Sequence, residues 1–525
     1  MSVAVEERAS LASRLTEIVG QDNVHTGAAV EARATDVFRA GAMPVAVVRP
    51  GSVEALQRVV ELAASEGVRF TVRGGGASYT DGYSARDAGQ LLIDLGALDR
   101  ILTINSVDGY VTVEAGVTWA ALRDTLAAQD LRTPFWGPFS GLAATVGGSM
   151  SQNTISHGSA AYGISADSVL SFDVVTADGS ILSTGPAAVG AKPFMRHFGP
   201  DLTGLFTGDC GTLGIKARIT LPVIARRPTH RPISFAFETF EAMHKSMRLI
   251  ARERIEDTHF ALDAALSQGQ IARQERAGAT LGMALSIVRS SPSLAAGVRQ
   301  VAKAALTARR QIGAAKYMTH YIVEGFDDAE VKARLHRIRA INQGLGPEIA
   351  ATVPAVVRGT PFAPLYNVLG PSGERWVPLH GNLPHSAVPA FHAAYMALLE
   401  ARAADMKAHG VWCGGMYGAI GSGGFLYEIA IYWPDEITAY HNATVPADYL
   451  AGLPRYPANP TARAYVTQLK ADLVDLLVAH GAVNFQLGRA YPYAGRLEKA
   501  PLGLVKAIKA KLDPEGLVAP GNLGL

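Results

Sequence analysis

Three consecutive glycines, Gly74, Gly75 and Gly76, stand between Arg73 and Ala77 in the segment RGGGASYTDGY (residues 73–83). Without Cβ atoms, the backbone N–H groups of such a run can close around an anion, so the loop reads as a nest for a phosphate or pyrophosphate. It is not the G-x-G-x-x-G fingerprint of nicotinamide-type folds: Ala77 and Ser78 fill the intervening positions, Tyr79 replaces the third glycine, and no helix pattern follows directly. A second run, GPFSGLAATVGGSMSQNTISHGSAAYGISADSVLSFDVVTADG (residues 137–179), is dense in glycine and small residues, which suits backbone packed against a flat ligand. Two shorter motifs follow: GDCGTLGIKARITL (208–221) opens into an alternating strand, and KLDPEGLVAPGNLGL (511–525) stands at the C-terminus.

The elements that must hold these loops can be read from periodicity. From Pro44 the pattern predicts a strand over 45–48, a Pro50-Gly51 turn, an amphipathic helix over 53–64 and a strand over 68–72 that runs into the glycines. A glycine loop at the end of such a strand lies where α/β folds place ligands. Further strands are predicted at 91–95, 111–115, 169–176 and 215–221, with turn signals such as Asp178-Gly179 between them. A mixed α/β domain therefore fills residues 1–225. Arginines and proline at 226–231 mark a boundary, beyond which Ala-rich helical segments alternate with strands such as 427–432. The chain shows no internal repeat and no low-complexity segment.

Composition excludes several classes of function. With 525 residues, 48% hydrophobic and 18% charged, the chain is long enough for two domains with a buried cleft between them, and it is neither fibrous nor disordered. A net charge of +2 is spread along the sequence; the most basic stretch, Arg299 to Lys316 with Lys303, Arg309 and Arg310, reads as a solvated helix face, so no nucleic-acid partner is expected. Cys210 and Cys413 lie too far apart in sequence for a disulfide framework or a Cys-rich metal site. The N-terminus lacks the basic start and apolar block of a signal peptide, and no apolar run reaches membrane-spanning length; a cytoplasmic protein without membrane contact is expected. A G-x-S-x-G elbow, the test for a Ser-His-Asp hydrolase, is missing.

Taken in order along nearly the whole chain, the four motifs resemble the vanillyl-alcohol oxidase and para-cresol methylhydroxylase family of flavoproteins. The resemblance implies an α+β, two-domain architecture: an FAD-binding domain of the para-cresol methylhydroxylase type over 1–225, an antiparallel-sheet cap holding the substrate over 226–482, and a segment, 483–525, that returns to the FAD-binding domain. It implies that Arg73, Gly74, Gly75, Gly76, Ala77, Ser78 and Tyr79 bind the FAD pyrophosphate. It places Pro138, Thr145, Gly147, Gly148, Asn153, Gly158, Tyr162 and Gly163 along the flavin, and Gly211, Gly214 and Ile215 toward the adenine. The tail matches the family ending through Asp513-Pro514 and Pro520-Gly521, with Lys509 near its basic position, so the chain is expected to be complete at Leu525. Residues 373–381 and 416–436 resemble the two cap strands that roof the substrate, which nominates Trp376, Tyr417 and Tyr427 as pocket lining.

The family pattern also breaks. Relatives that tether flavin covalently use a histidine in the glycine loop or the cap, where this chain has Ala77 and Gly373; dissociable FAD is expected, with His380 and His385 as outside candidates for a bond. Phenol-oxidising members carry a Tyr-Arg pair near the end of the cap, where Phe485 and Gln486 stand; Arg489 and Tyr491 are nearby substitutes. Ser156 and His157 occupy the place of an acidic residue beside the flavin. His157 precedes Gly158 as in sugar-oxidising cousins and is a candidate base, Tyr79 a candidate donor, and a histidine bonded only to backbone is the equal alternative. No metal site is expected, since His380 and His385 lack an acidic partner.

The expected activity is FAD-dependent oxidation, as an oxidase or dehydrogenase, of an alcohol or an aromatic or allylic C–H, with oxygen or a redox partner such as a cytochrome taking the electrons. The alternatives are a flavocytochrome subunit acting on lignin-derived phenolics and a catalytically quiet flavin scaffold. A homodimer is the assembly the resemblance suggests.

Overall fold

The computed structural model describes residues 2–276 and 315–525, with side chains for 11–270 and 315–525. Of the basic stretch named above, Arg299, Lys303, Arg309 and Arg310 lie outside the described residues. None of the described helices is long and apolar enough to cross a membrane.

The glycine loop is set by a small sheet in which Ala46–Val48, Leu91–Asp94 and Phe70–Arg73 run parallel, with Val24–His25 antiparallel on the outer edge. Helix Val53–Ser65 covers it through Val53, Leu56, Val59, Val60 and Leu62, and Ser52 caps its start by accepting from the Ala55 N–H at 3.1 Å. The chain leaves the sheet at Arg73 straight into Gly74. The other edge of the Phe70 strand is filled by the tail: the Phe70 N–H donates to Leu517 O and the Ala519 N–H to Phe70 O, at 2.9 and 2.8 Å. An antiparallel second sheet, ordered Ile101–Asn105, Tyr110–Glu114, Ile215–Pro222, Ser171–Val175 and Ile181–Ser183, shares one core with the first through Val48, Phe70, Ile93, Val113, Phe172 and Ile219.

The cap is a seven-stranded antiparallel sheet. Strands Thr258–Asp263, Trp412–Ile420, Gly424–Trp433 and Arg375–Pro384 are adjacent, the last forming one edge. Residues 416–436, read from sequence as one strand, hold the end of one strand and the whole of the next, joined by a turn at residues 421–423. Because side chains alternate, the sheet has two unlike faces. Val377, Leu379, Tyr417, Tyr427, Ile429 and Ile431 pack under helices such as Phe240–Glu253 and Pro460–Ala479. Phe260, Leu262, Trp376, Met416 and Tyr432 face the other way, onto Ala77, Tyr79, Phe139 and Ala143 of the glycine-rich segments. We propose the division into residues 1–225, 226–482 and 483–525 on this basis, since the two N-terminal sheets end by Pro222 and the cap sheet begins at Thr229.

An ion cluster joins the two parts. Arg132 is buried between Asp257 (2.5 Å) and Glu324 (2.7 Å), Arg358 pairs with Glu324 at 2.8 Å, and the Trp136 indole N–H donates to Asp257 at 3.3 Å. Removing one partner of a buried pair strands the rest without compensation. Arg132→Ala is therefore expected to cost about 3–5 kcal/mol in urea-induced unfolding; a change below 1 kcal/mol would show that water already screens the cluster.

Candidate active site

The glycine loop is shaped by a backbone-to-backbone approach. A Cβ on Gly75 would lie 1.7 Å from the Ala143 carbonyl oxygen, and one on Gly74 2.5 Å from Thr145 Oγ1. Gly76 has φ +71°, in the left-handed region. Among the described residues, no hydrogen bond uses the N–H groups of Gly75, Gly76, Ala77, Ser78 or Tyr79. Five successive free donors are the feature an anion nest requires. Arg73 folds back over Gly76, pairs with Asp94 at 3.1 Å, and leaves its buried Nε without a partner. A pyrophosphate fits this donor set in charge and in number of donors.

The second glycine run supports the loop from beneath. Thr145 caps helix Val146–Gln152 by accepting from the Gly148 N–H at 3.2 Å, and Gly147 packs with Ala115 2.7 Å from where its Cβ would be. Pro138 accepts from the Gly141 N–H in the turn that leads to Ala143. Asn153 (φ +51°) ends the helix against Gly208, and its buried Oδ1 has no hydrogen-bond partner. Gly158 and Gly163 have positive φ, and their Cβ positions are taken by Pro134 O and the Asp167 carboxylate. Tyr162 lies apart from the loop: its ring sits under Arg132 at 5.6 Å and lines a cavity of about 170 Å³ with Arg227 and Asp257. Gly211, Gly214 and Ile215 follow Cys210, whose carbonyl accepts from the tail residue Asn522 at 3.0 Å. Asn522 also donates to Gly82 O at 2.7 Å, and Lys509 donates to Thr212 O and Val518 O, both at 2.8 Å. The tail thus ties the two loops together.

His157 is fully buried, stacked on Trp136 at 4.3 Å and edged by Phe139 at 4.6 Å. One ring nitrogen contacts Pro361 O at 3.1 Å, which requires Nε2–H, and Nδ1 is left as a bare acceptor. Burial pushes its pKa down to about 4, so the ring is neutral at physiological pH. Tyr79 reaches the cap, edge-on to Trp376 at 5.7 Å and to His380 at 6.5 Å.

His380 is fixed on both sides. Its Nε2 donates to Phe485 O at 2.6 Å, Nδ1 lies 3.2 Å from the Tyr491 hydroxyl, and the Tyr491 oxygen accepts from the His380 N–H at 2.9 Å. Burial holds the imidazole pKa down to about 3. Tyr491 is therefore a buried strut, with its hydroxyl committed at donor and acceptor positions. The structure does not bring the other candidates here. Tyr417 and Tyr427 are one residue off the site-facing parity and pack on each other beneath the helices, with ring centroids 4.9 Å apart. Arg489 turns to the Ser84 carbonyl, 2.9 Å away. His385 contacts His244 at 3.0 Å on the helix side. No cluster of three or more potential metal ligands occurs among the described residues.

Sequence reasoning missed Glu428. It is paired across the sheet with His380 on one side and Met416 on the other, so it shares their face, toward Tyr79. It has no hydrogen-bond or ion-pair partner among the described residues and keeps part of its surface open. Burial alone pushes its carboxyl up to about 7. The signal was present: a single acidic residue in the otherwise apolar strand FLYEIAIYW.

Comparison with known proteins agrees with this geometry. The family model for an FAD binding domain matches residues 44–185. D-2-hydroxyglutarate dehydrogenase of Xanthomonas citri pv. viticola is 26% identical over 91% of this chain and 89% of its own. The glycolate oxidase subunit GlcD of Escherichia coli K12 is 28% identical over 38% of each chain, so the likeness spans well under half of that protein. Among solved structures, p-cresol methylhydroxylase with substrate bound superposes with a TM-score of 0.71 at 17% identity, over 99% of this chain and 97% of that one. The 4-ethylphenol oxidase of Gulosibacter chungangensis gives 0.72 at 16% identity, over the same shares. The chain is an FAD-dependent oxidoreductase, an enzyme with the two-domain fold in which a mixed FAD-binding domain meets an antiparallel cap. Its fold is that of p-cresol methylhydroxylase and 4-ethylphenol oxidase.

The bound FAD supplies the two-electron acceptor. Gly75→Ala drives a methyl group into the Ala143 carbonyl. It is expected to lower flavin occupancy at least about tenfold, a loss of about 1.4 kcal/mol in binding, with far-UV circular dichroism unchanged. Full occupancy, read as visible flavin absorbance per mole of protein, would place the cofactor elsewhere.

Proposed function

We propose that this enzyme oxidises an uncharged alcohol whose carbinol carbon is benzylic or allylic, passing a hydride to non-covalently held FAD. Oxygen or an electron carrier such as a cytochrome re-oxidises the cofactor. The observation that carries the substrate reading is the charge on the cap face. Trp376, Pro378, His380 and Asn382 on one strand, Leu426, Glu428, Ala430 and Tyr432 on the next, and Trp412, Gly414, Met416 and Gly418 on the third include one carboxylate and no Lys or Arg. An anionic substrate brought beside Glu428 would bury two like charges without a cation, at a cost of several kcal/mol. The same lack of a cation disfavours a phenolate. Aromatic rings at Trp376, Tyr79 and Phe139 suit a flat apolar substrate.

A 2-hydroxy acid is the competing reading, favoured by the relative named D-2-hydroxyglutarate dehydrogenase, whose likeness runs nearly end to end. Non-covalent flavin is supported by the two histidines nearest the cap position: both ring nitrogens of His380 are engaged, and His385 lies on the helix side.

Mixed anaerobically with the holoenzyme, aromatic and allylic primary alcohols are expected to bleach the flavin, while D-2-hydroxyglutarate, D-lactate and glycolate leave it oxidised. Bleaching by the acids alone reverses the substrate assignment. On acid precipitation the flavin should pass into the supernatant; colour kept in the pellet would establish a covalent link.

A further inference from the structure

We propose that Glu428 is the proton acceptor of the reaction, a catalytic residue that takes the substrate hydroxyl proton as the hydride leaves the adjacent carbon. The inference rests on the alcohol reading above for its substrate but not for its geometry.

Three placements converge on Glu428. It lies in the middle of strand Gly424–Trp433, flanked in register by His380 and Met416, on the face that meets Tyr79 and the glycine-rich segments. Its electrostatic neighbours are the Tyr79 and Tyr491 hydroxyls, from the loop and the C-terminal segment respectively. Most other polar side chains facing Glu428 already have a fixed task, Asn382 Oδ1 and His157 Nδ1 excepted. Tyr491 and His380 satisfy one another and the Phe485 carbonyl, and Gln486 lies beside the Tyr79 hydroxyl. Glu428 alone is an ionisable acceptor with neither an ion-pair nor a hydrogen-bond partner among the described residues. A largely enclosed carboxyl with no protein partner is free to receive a hydrogen-bond donor, and a substrate hydroxyl is the group an alcohol-oxidising site would supply. His157 is the rival acceptor, with a bare Nδ1, but it is walled in by Trp136, Phe139 and Phe362.

The step balances. The alcohol loses its carbinol C–H as a hydride, two electrons and one proton, to oxidised FAD. Its O–H bond breaks, the proton goes to the Glu428 carboxylate, and the C–O bond becomes a carbonyl. Glu428 ends as the neutral acid, and the proton leaves to solvent before the next turn.

The groups facing Glu428 are the Tyr79 and Tyr491 hydroxyls and the neutral His380 ring, with Met416 beside it and no cation. Its carboxyl, ordinarily near 4.5, is pushed up to about 7 by burial, so the folded state favours the protonated form. The stability contributed by that form is complete at pH below 4.5 and is lost as pH rises to about 7. Wild-type holoenzyme should therefore lose melting temperature relative to Glu428→Gln between those limits and run parallel to it above them. This readout does not depend on turnover.

Rapid-mixing reduction of the flavin by an aromatic alcohol gives the second test. In wild type the rate should rise with pH through an ionisation near 7. In Glu428→Gln it should fall by about 10²–10⁴ and lose that ionisation, with flavin content unchanged. In Glu428→Ala, added formate should restore part of the rate, a rescue that a structural role would not give. Equal rates and equal pH profiles in wild type and Glu428→Gln would overturn the proposal while leaving the substrate class standing. If only 2-hydroxy acids reduce the wild-type flavin, the alcohol reading falls, and the same variant comparison with the acid as substrate still decides the role of Glu428.

Discussion

The site depends on one close approach: Gly74 and Gly75 lie directly on residues 143–148, with no room for a side chain between them. That contact fixes the loop at the end of a parallel strand and leaves its N–H groups without partners inside the protein. An exposed loop would give such donors to water. Here they are held together by the packing beneath, so the cost of ordering them is met on folding and a ligand finds them already aligned. The tail completes the arrangement, lying along Phe70 and donating from Asn522 to both Gly82 and Cys210.

The cap sheet packs over this cradle. Its two faces differ in kind: one is an apolar bed for helices, the other carries rings, a methionine and Glu428. The Arg132 cluster holds the cap against the flavin domain with buried charges of both signs. Such a cluster adds little net stability over apolar packing but penalises any displacement that would unpair it.

Low polarity governs the chemistry available. Burial keeps His157 and His380 neutral and lifts the Glu428 carboxyl, so the site presents acceptors rather than cations. With Tyr491 and His380 locked together, the uncommitted ionisable acceptors among the described residues of this face are a histidine enclosed by aromatic rings and a glutamate facing the loop.

Much of the FAD-binding part was legible in the sequence. The nest, the helix over 53–64, the neighbouring strands and the motif order are local patterns: glycines are needed wherever backbone meets backbone, and apolar periodicity marks a helix or strand wherever it occurs. The cap was less legible. The sequence put Tyr417, Tyr427 and Arg489 among the site candidates and passed over Glu428. In a strand, a displacement of one residue moves a side chain to the opposite face, and which face meets the flavin domain is set by packing against helices hundreds of residues away. Tyr491 was nominated as a substitute for the phenol-binding pair; its hydroxyl is bound to a strand more than a hundred residues earlier, which no spacing rule reveals. The sequence by itself determined the cofactor class and the fold, because the residues responsible are contiguous. Tertiary structure alone decided which polar side chains remain free to act, because that depends on hydrogen-bond partners brought together from distant parts of the chain.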